Sequence, residues 1–400
     1  MNKNVPKLRF KGFEDEWEKI HLSDRVERVV RKNKGNITNR PLTISAQYGL
    51  VNQEEFFNKV VASKNLEGYY LLNNGEFAYN KSYSNGYPFG AIKRLDKYKN
   101  GAVSTLYICF KPKLNVDSDF LTQYFESSKW YREVSMVAVE GARNHGLLNI
   151  GVSDFFDTIH RFPSLQEQEK IANFLSKVDS IIEKQEKKVE YWNSYKKGMM
   201  QKIFSQKIRF KDENCRDYPE WEEKKLGACF LERSITNNNE LELLSVTINN
   251  GVKKRSDIEG KDNSSDDKSN YKLVEKNDIV YNSMRMWQGA SGVSSYRGIV
   301  SPAYTILIPQ NKVNSYFFAY LFKLKKVINE FRKFSQGLTS DTWNLKYPLL
   351  KDIRVKVPCL EEQTKIANFL SNIDNIIEKE SKKLEELKQW KKGLLQQMFV

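Results

Sequence analysis

Residues 163–204 read PSLQEQEKIANFLSKVDSIIEKQEKKVEYWNSYKKGMMQKIF, and residues 358–399 read PCLEEQTKIANFLSNIDNIIEKESKKLEELKQWKKGLLQQMF. The two stretches align without a gap at a constant offset of 195 residues and agree at 24 of 42 positions, the mark of an internal duplication. Apolar residues in the first copy fall alternately three and four apart, at Leu175, Val178, Ile182, Val189 and Trp192; the second copy repeats them as Leu370, Ile373, Ile377, Leu384 and Leu387. A mean period of about 3.5 is the seam of a coiled coil. Gln185 and Lys196 interrupt the first seam where Glu380 and Lys391 interrupt the second. Parallel pairing would set Lys196 against Lys391, so an antiparallel pair is predicted. Ile171, Phe174 and Ile181, with Ile366, Phe369 and Ile376, widen the apolar face beyond a two-helix seam and are candidates for docking the rest of the chain or a partner.

The duplication reaches further upstream. Lys7-Leu8-Arg9-Phe10 matches Lys207-Ile208-Arg209-Phe210, and Trp17 matches Trp221; both tryptophans read as core anchors rather than base-stacking groups. Residues 74–80 and 276–282 are turn residues leading into strands, and residues 101–110 and 298–307 read as buried strands. Residues 120–131 and 316–334 carry helical apolar spacing. The fold class expected is α+β: two pseudo-symmetric α/β domains, at 1–162 and 207–357, separated by two long helices, at 163–206 and 358–400, that form an antiparallel coiled coil.

Composition narrows the function. A chain with 40% hydrophobic and 29% charged residues is ordinarily globular. No apolar run approaches the roughly 18 residues of a membrane span, and a cytoplasmic protein without membrane contact is expected. Cys109, Cys215, Cys229 and Cys359 are scattered, and His21, His145 and His160 do not cluster with them, which argues against a zinc site or a disulfide framework. No phosphate loop, dinucleotide fingerprint or amino-methyltransferase motif is present, so neither a catalytic nor a metal site is expected. The net charge of +15 is unevenly spread: +6 over 1–162 and +7 over 207–357, against +2 and 0 over the two helices. The excess lies between the repeats, where a polyanion would bind.

The two halves agree in their scaffold landmarks and differ in the stretches between them. Those stretches, and the basic run before the first of them, hold the residue types that read DNA: Arg for guanine, Asn and Gln for adenine, Lys and Ser for phosphate. In the first half the candidates are Arg25, Arg28, Arg31, Lys32 and Lys34, then Lys81, Tyr83 and Asn85, then Arg143 and Asn144. In the second they are Lys253, Lys254 and Arg255, then Arg285 and Gln288, then Ser340.

The alternation of variable domain and IANFLSxxDxIIEK helix, twice over, together with Pro219-Glu220-Trp221 and Val300-Ser301-Pro302-Ala303-Tyr304, resembles the specificity (S) subunit of Type I restriction-modification systems. The resemblance covers essentially the whole chain, and departs from the pattern where Thr105-Leu106 stands for Pro302-Ala303 and where no proline precedes Trp17. It implies two target-recognition domains, each reading half of a bipartite site in double-stranded DNA, with the helices setting the spacer. It implies too a non-catalytic chain that assembles with two methyltransferase (M) subunits and with restriction/translocase (R) subunits. S-adenosylmethionine, ATP and Mg2+ would then belong to those partners. The alternative is a coiled-coil scaffold that binds DNA without sequence preference.

Overall fold

The computed structural model describes residues 4–45, 48–57, 63, 65–83, 86–138, 148–248, 251–262, 264–339 and 342–400. The chain forms two compact units, one of residues 1–187 with 381–400 and the other of residues 188–380.

In the first unit, β1 (Glu18–His21) is followed by β2 (Val26–Arg28), β3 (Leu42–Ser45), β4 (Gly49–Asn52), α1 (Gln53–Phe57), β5 (Tyr70–Asn73), β6 (Phe77–Asn80), β7 (Ala91–Arg94), β8 (Asn100–Val103) and β9 (Ile108–Pro112). Then come α2 (Ser118–Glu126), α3 (Tyr131–Val137), α4 (Val152–Phe156), β10 (Ile159–Phe162) and the long helix α5 (Leu165–Phe204), whose residues up to Lys187 belong here. Strands β2, β9, β6 and β7 form a four-stranded antiparallel sheet, while β3 pairs with β4, β5 with β8 and β1 with β10. Phe77, Phe110, Phe120, Phe155 and Phe162 meet Leu175 and Val178 of α5 in one core; Leu42, Leu72, Val103 and Cys109 form a smaller one on the far side of the sheet.

The second unit repeats this order strand for strand: β11 (Glu222–Lys225), β12 (Phe230–Arg233), β13 (Leu244–Thr247), β14 (Gly251–Lys254), β15 (Lys272–Val274), β16 (Ile279–Asn282), β17 (Ser291–Val293), β18 (Gly298–Val300) and β19 (Tyr304–Pro309). The helices are α6 (Ser315–Leu321), α7 (Lys325–Phe334) and α8 (Tyr347–Leu350), followed by β20 (Arg354–Val357) and α9 (Leu360–Met398). Its four-stranded sheet has the order β12-β19-β16-β17, the same as in the first unit, and β11 pairs with β20 as β1 does with β10.

The mixed α/β architecture read from sequence is present, with two refinements. Each run expected as one buried strand is two strands in different sheets, β8 and β9 or β18 and β19, divided by a tight turn. Tyr107 N donates to Ser104 O at 3.1 Å, and Tyr304 N to Ser301 O at 3.0 Å. Thr105-Leu106 therefore fills the same two turn positions as Pro302-Ala303, proline being suited to the first of them but not required there. Each expected amphipathic helix is likewise two, because the backbone turns extended at Ser127 after α2 and at Leu324 before α7.

Two matched devices fix the long helices to their domains. Arg9 donates twice to Glu167, at 2.8 Å each, and Arg209 to Glu362 at 3.3 and 2.8 Å, so each guanidinium grips a buried carboxylate in the first turns of α5 or α9. The next residue, Gln168, donates to Pro163 O at 2.9 Å and accepts from Asp117 N at 2.9 Å; Gln363 does the same with Pro358 O and Asn314 N. Within each unit the two long-helix portions run antiparallel. In the first, Asp179 pairs with Lys391 at 2.5 Å and Glu186 with Lys388 at 2.6 Å; in the second, Lys196 pairs with Asp374 at 2.5 Å and Lys188 with Glu380 at 2.7 Å.

Candidate nucleic-acid interface

Strand register decides which loops meet. In the first unit β2 ends at Arg28, opposite Phe110, and β6 ends at Asn80, opposite Ala91, while Tyr79 faces Ile108 at the start of β9. The stretches that follow β2, follow β6 and precede β9 therefore open at one end of the sheet. The second unit repeats the arrangement, with β12 ending at Arg233, β16 at Asn282, and β19 starting at Tyr304. Chain connectivity thus gathers stretches of dissimilar sequence at the same end of a common framework.

The candidate residues sort by what already holds them. Arg31 is spent on the scaffold: its guanidinium donates to both oxygens of Glu76, at 2.7 and 2.9 Å, and to Leu71 O. Arg233 makes the matching pair with Asp278, at 2.8 and 3.1 Å, and that contact holds its pKa above the usual arginine value. Arg25 precedes β2, away from the loop end, and bonds Glu18 at 3.3 Å beside the Phe162 ring. Lys32 donates to Gly68 O and lies 4.3 Å from the centre of the Tyr70 ring. Lys81 donates to Ile150 O at 3.1 Å. Lys254 pairs with Glu242 at 2.7 Å, and Arg255 closes its own loop by donating to the carbonyls of Ile258, Gly260 and Lys261.

Arg28, Lys34, Lys253 and Arg285 are exposed and carry no ion pair among the described residues, and Tyr83 is 62% exposed. Gln288 is half-buried. Asn85, Arg143, Asn144 and Ser340 lie outside the described residues.

Arg28 lines a cavity of about 170 Å3 with Tyr70, Lys81, Thr105, Tyr107 and Val152 at the loop end of the first sheet. A hollow of about 320 Å3 in the second unit is lined by Ser245, Arg255, Lys261, Tyr271, Ser301 and Tyr304, the last standing where Tyr107 does in the first. None of these tyrosines stands out in the sequence: Tyr70 and Tyr304 begin β5 and β19, and Tyr107 and Tyr271 stand just before β9 and β15.

The loop after the central strand also meets the loop before the last short helix. Leu148 N donates to Lys81 O at 3.0 Å in the first unit, and Leu345 N to Ser283 O at 2.9 Å in the second. There Trp287 packs edge-on against Trp343, whose ring lies 5.1 Å from the Arg332 guanidinium, leaving Met284 and Leu338 exposed. Stacking faces beside free cations are what bases and phosphates require.

The candidates for helix pairing and docking divide in the same way. Leu175, Val178, Leu370 and Ile373 are buried, and Ile182 nearly so, whereas Val189, Trp192, Ile377, Leu384 and Leu387 are half-buried. Ile171 and Ile366 are consumed by the chain's own cores, and Phe174 and Phe369 are covered edge-on by Phe10 and Phe210. Ile181 stays exposed and Ile376 half-buried. The lysines in the seam meet Asp374 and Asp179, not the Glu380 and Gln185 positions that the heptad pattern singled out. Trp17 and Trp221 are buried, as core anchors.

Residues 220–389 match the family described as Type I restriction modification DNA specificity domain. The specificity subunit of Type I restriction enzyme MjaVIII of Methanocaldococcus jannaschii is 27% identical over 253 residues, 58% of this chain and 59% of that protein. The putative MjaX specificity subunit of the same organism is 28% identical over 248 residues, 58% of this chain and 56% of its own length. The chain thus spans under three-fifths of the length of the curated relatives it matches. Among solved structures, the S subunit of a Type I restriction-modification system from M. genitalium has a TM-score of 0.59 at 18% identity, over 99% of both chains. A chain from a structure concerned with assembly and conformational transition of the type I R-M system gives 0.53 at 14% identity, over 96% of this chain and 98% of that one. The fold is shared with these structures, and the likeness to Type I specificity subunits read from the helix repeat is borne out.

Proposed function

We propose that this chain, which carries a Type I restriction-modification DNA specificity domain at residues 220–389, is the subunit that selects the DNA target of such a complex. The observation that carries this reading is a duplicated framework whose unlike loops open at the same end of each sheet, with cations at Arg28, Lys34, Lys253 and Arg285 that carry no ion pair among the described residues. Two recognition domains, at 1–162 and 207–357, each read one half of a bipartite site in double-stranded DNA; the helices at 163–206 and 358–400 set the spacer and dock two methyltransferase subunits. Restriction/translocase subunits complete the assembly in the cytoplasm. S-adenosylmethionine, ATP and Mg2+ serve those partners, and this chain does no chemistry itself. Among the described residues no helix is long and apolar enough to cross a membrane.

Exchanging residues 25–150 for those of a related subunit tests the reading, with modified-base sequencing of host DNA as the readout. One half-site changes and the other stays. Two altered half-sites would end the modular account. A loss of all sequence preference, leaving only binding that falls steeply with salt, would favour the scaffold alternative.

A further inference from the structure

Glu126 lies nine residues after Asp117, the cap of α2, and Lys323 nine residues after Asn314, the cap of α6. The two positions are therefore equivalent, since Gln168 and Gln363 hold those caps in the same way. Both side chains turn toward the loop that follows the central strand, with opposite charge. Glu126 accepts from the Tyr87 hydroxyl at 3.2 Å and from the buried Lys93 ammonium on β7, which lies 4.9 Å from the centre of the Tyr87 ring. Lys323 donates to three backbone carbonyls: Gly289 at 2.5 Å, Ser291 at 3.0 Å and Ile248 at 3.0 Å. These belong to the end of the loop after β16, the start of β17 and the turn of the β13–β14 hairpin.

The strand position that holds Lys93, opposite Ala78, is glycine in the second unit, Gly292 opposite Val280. The first unit places its cation on the strand and its anion at the end of the helix; the second places the cation in the turn after the matching helix and satisfies it with main chain. An ammonium group has three donors, and those of Lys323 are all engaged, so it has none left for a phosphate. A mostly buried lysine held this way fixes backbone rather than ligand.

We propose that Glu126 and Lys323 are positioning residues, each clamping the DNA-reading loop of its own unit and thereby setting the preference of one half-site independently of the other. The proposal rests on the DNA-reading function inferred above. A loop already held in its bound path loses less entropy on binding, and its side chains meet the wrong base less easily.

The test has two readouts on the full chain: hydrogen exchange at residues 86–90 and 285–291, and modified-base sequencing of a host that supplies the methyltransferase subunits. Glu126→Gln speeds exchange about tenfold at 86–90 alone and lowers discrimination about tenfold at one half-site. Lys323→Met does the same at 285–291 and at the other half-site. Lys323→Arg, which keeps its donors, and the double swap Lys93→Glu with Glu126→Lys restore most of both signals. Unchanged exchange in both loops overturns the clamp whatever the DNA result. Faster exchange with unaltered half-sites overturns its role in specificity, and equal relaxation of both half-sites overturns its independence. A wild-type chain that directs no sequence-specific modification overturns the underlying DNA-reading function, and the exchange data tell that failure apart from failure of the clamp.

Discussion

His160 is an ionisable group held in the core. It is 1% exposed on β10, with Tyr124 OH 2.7 Å from Nδ1 and Thr158 Oγ1 2.8 Å from Nε2. Thr158 Oγ1 already donates to Phe155 O at 2.6 Å, so it accepts from Nε2–H, and Nδ1 accepts from the tyrosine. Burial lowers the imidazole pKa to about 3, and burial raises that of Tyr124, so the ring stays neutral and the hydroxyl stays a donor. An unfolded histidine takes up a proton near pH 6.5. Between pH 6.5 and 3 the unfolded state thus binds more protons, and stability falls as pH falls, by up to about 1.4 kcal/mol per pH unit. This contribution is fully present above pH 6.5. Core amides of the first unit, followed by hydrogen exchange between pH 7 and 4, should show that slope in wild type and a shallower one in His160→Gln. Parallel slopes would mean that the ring takes up its proton in the fold as readily as in the unfolded chain.

At the level of elements, the duplication was legible because its pieces are local: a 3.5-residue period, a turn before a strand, a tryptophan at a domain entrance. What joins them was not. Lys7-Leu8-Arg9-Phe10 and the Glu167-Gln168 pair were each visible as repeats, yet nothing in either says that Arg9 grips Glu167 across 158 residues. The seam lysines were legible and their partners were not, because Asp179 and Asp374 lie off the seam and side-chain reach decides the pairing. Free and committed cations read alike in sequence: nothing there separates Arg28 from Arg31, and only the fold places Glu76 and Leu71 O beside the second. Nothing in the sequence marks the glycine at 292, and the fold gives it a reason. A Cβ there would come within 2.7 Å of Gly251 Cα and 2.9 Å of Val252 N, so β17 and the β13–β14 hairpin touch main chain to main chain. Gly292→Ala must push the hairpin away, at a cost of about 1–3 kcal/mol. Denaturant titration of the full chain checks this, and a change of only a few tenths would show that the contact yields without cost.

For the whole molecule, the decisive question is whether the long helices measure distance. Each ion pair between α5 and α9 lies inside one unit: Asp179–Lys391 and Glu186–Lys388 in the first, Lys196–Asp374 and Lys188–Glu380 in the second. Seven residues inserted after Lys187, together with seven after Glu380, leave all four pairs intact. They add nearly two full helical turns, which returns the apolar seam close to its former face. The added length is about 10.5 Å, roughly three base pairs of duplex. If the helices set the spacer of a bipartite site, modified-base sequencing should find both half-sites unchanged and about three base pairs further apart. Four residues inserted at each place shift the seam by about half a heptad and should cost assembly instead. An unaltered spacer after the seven-residue insertions would remove the measuring role and leave the helices as the tie between the two units.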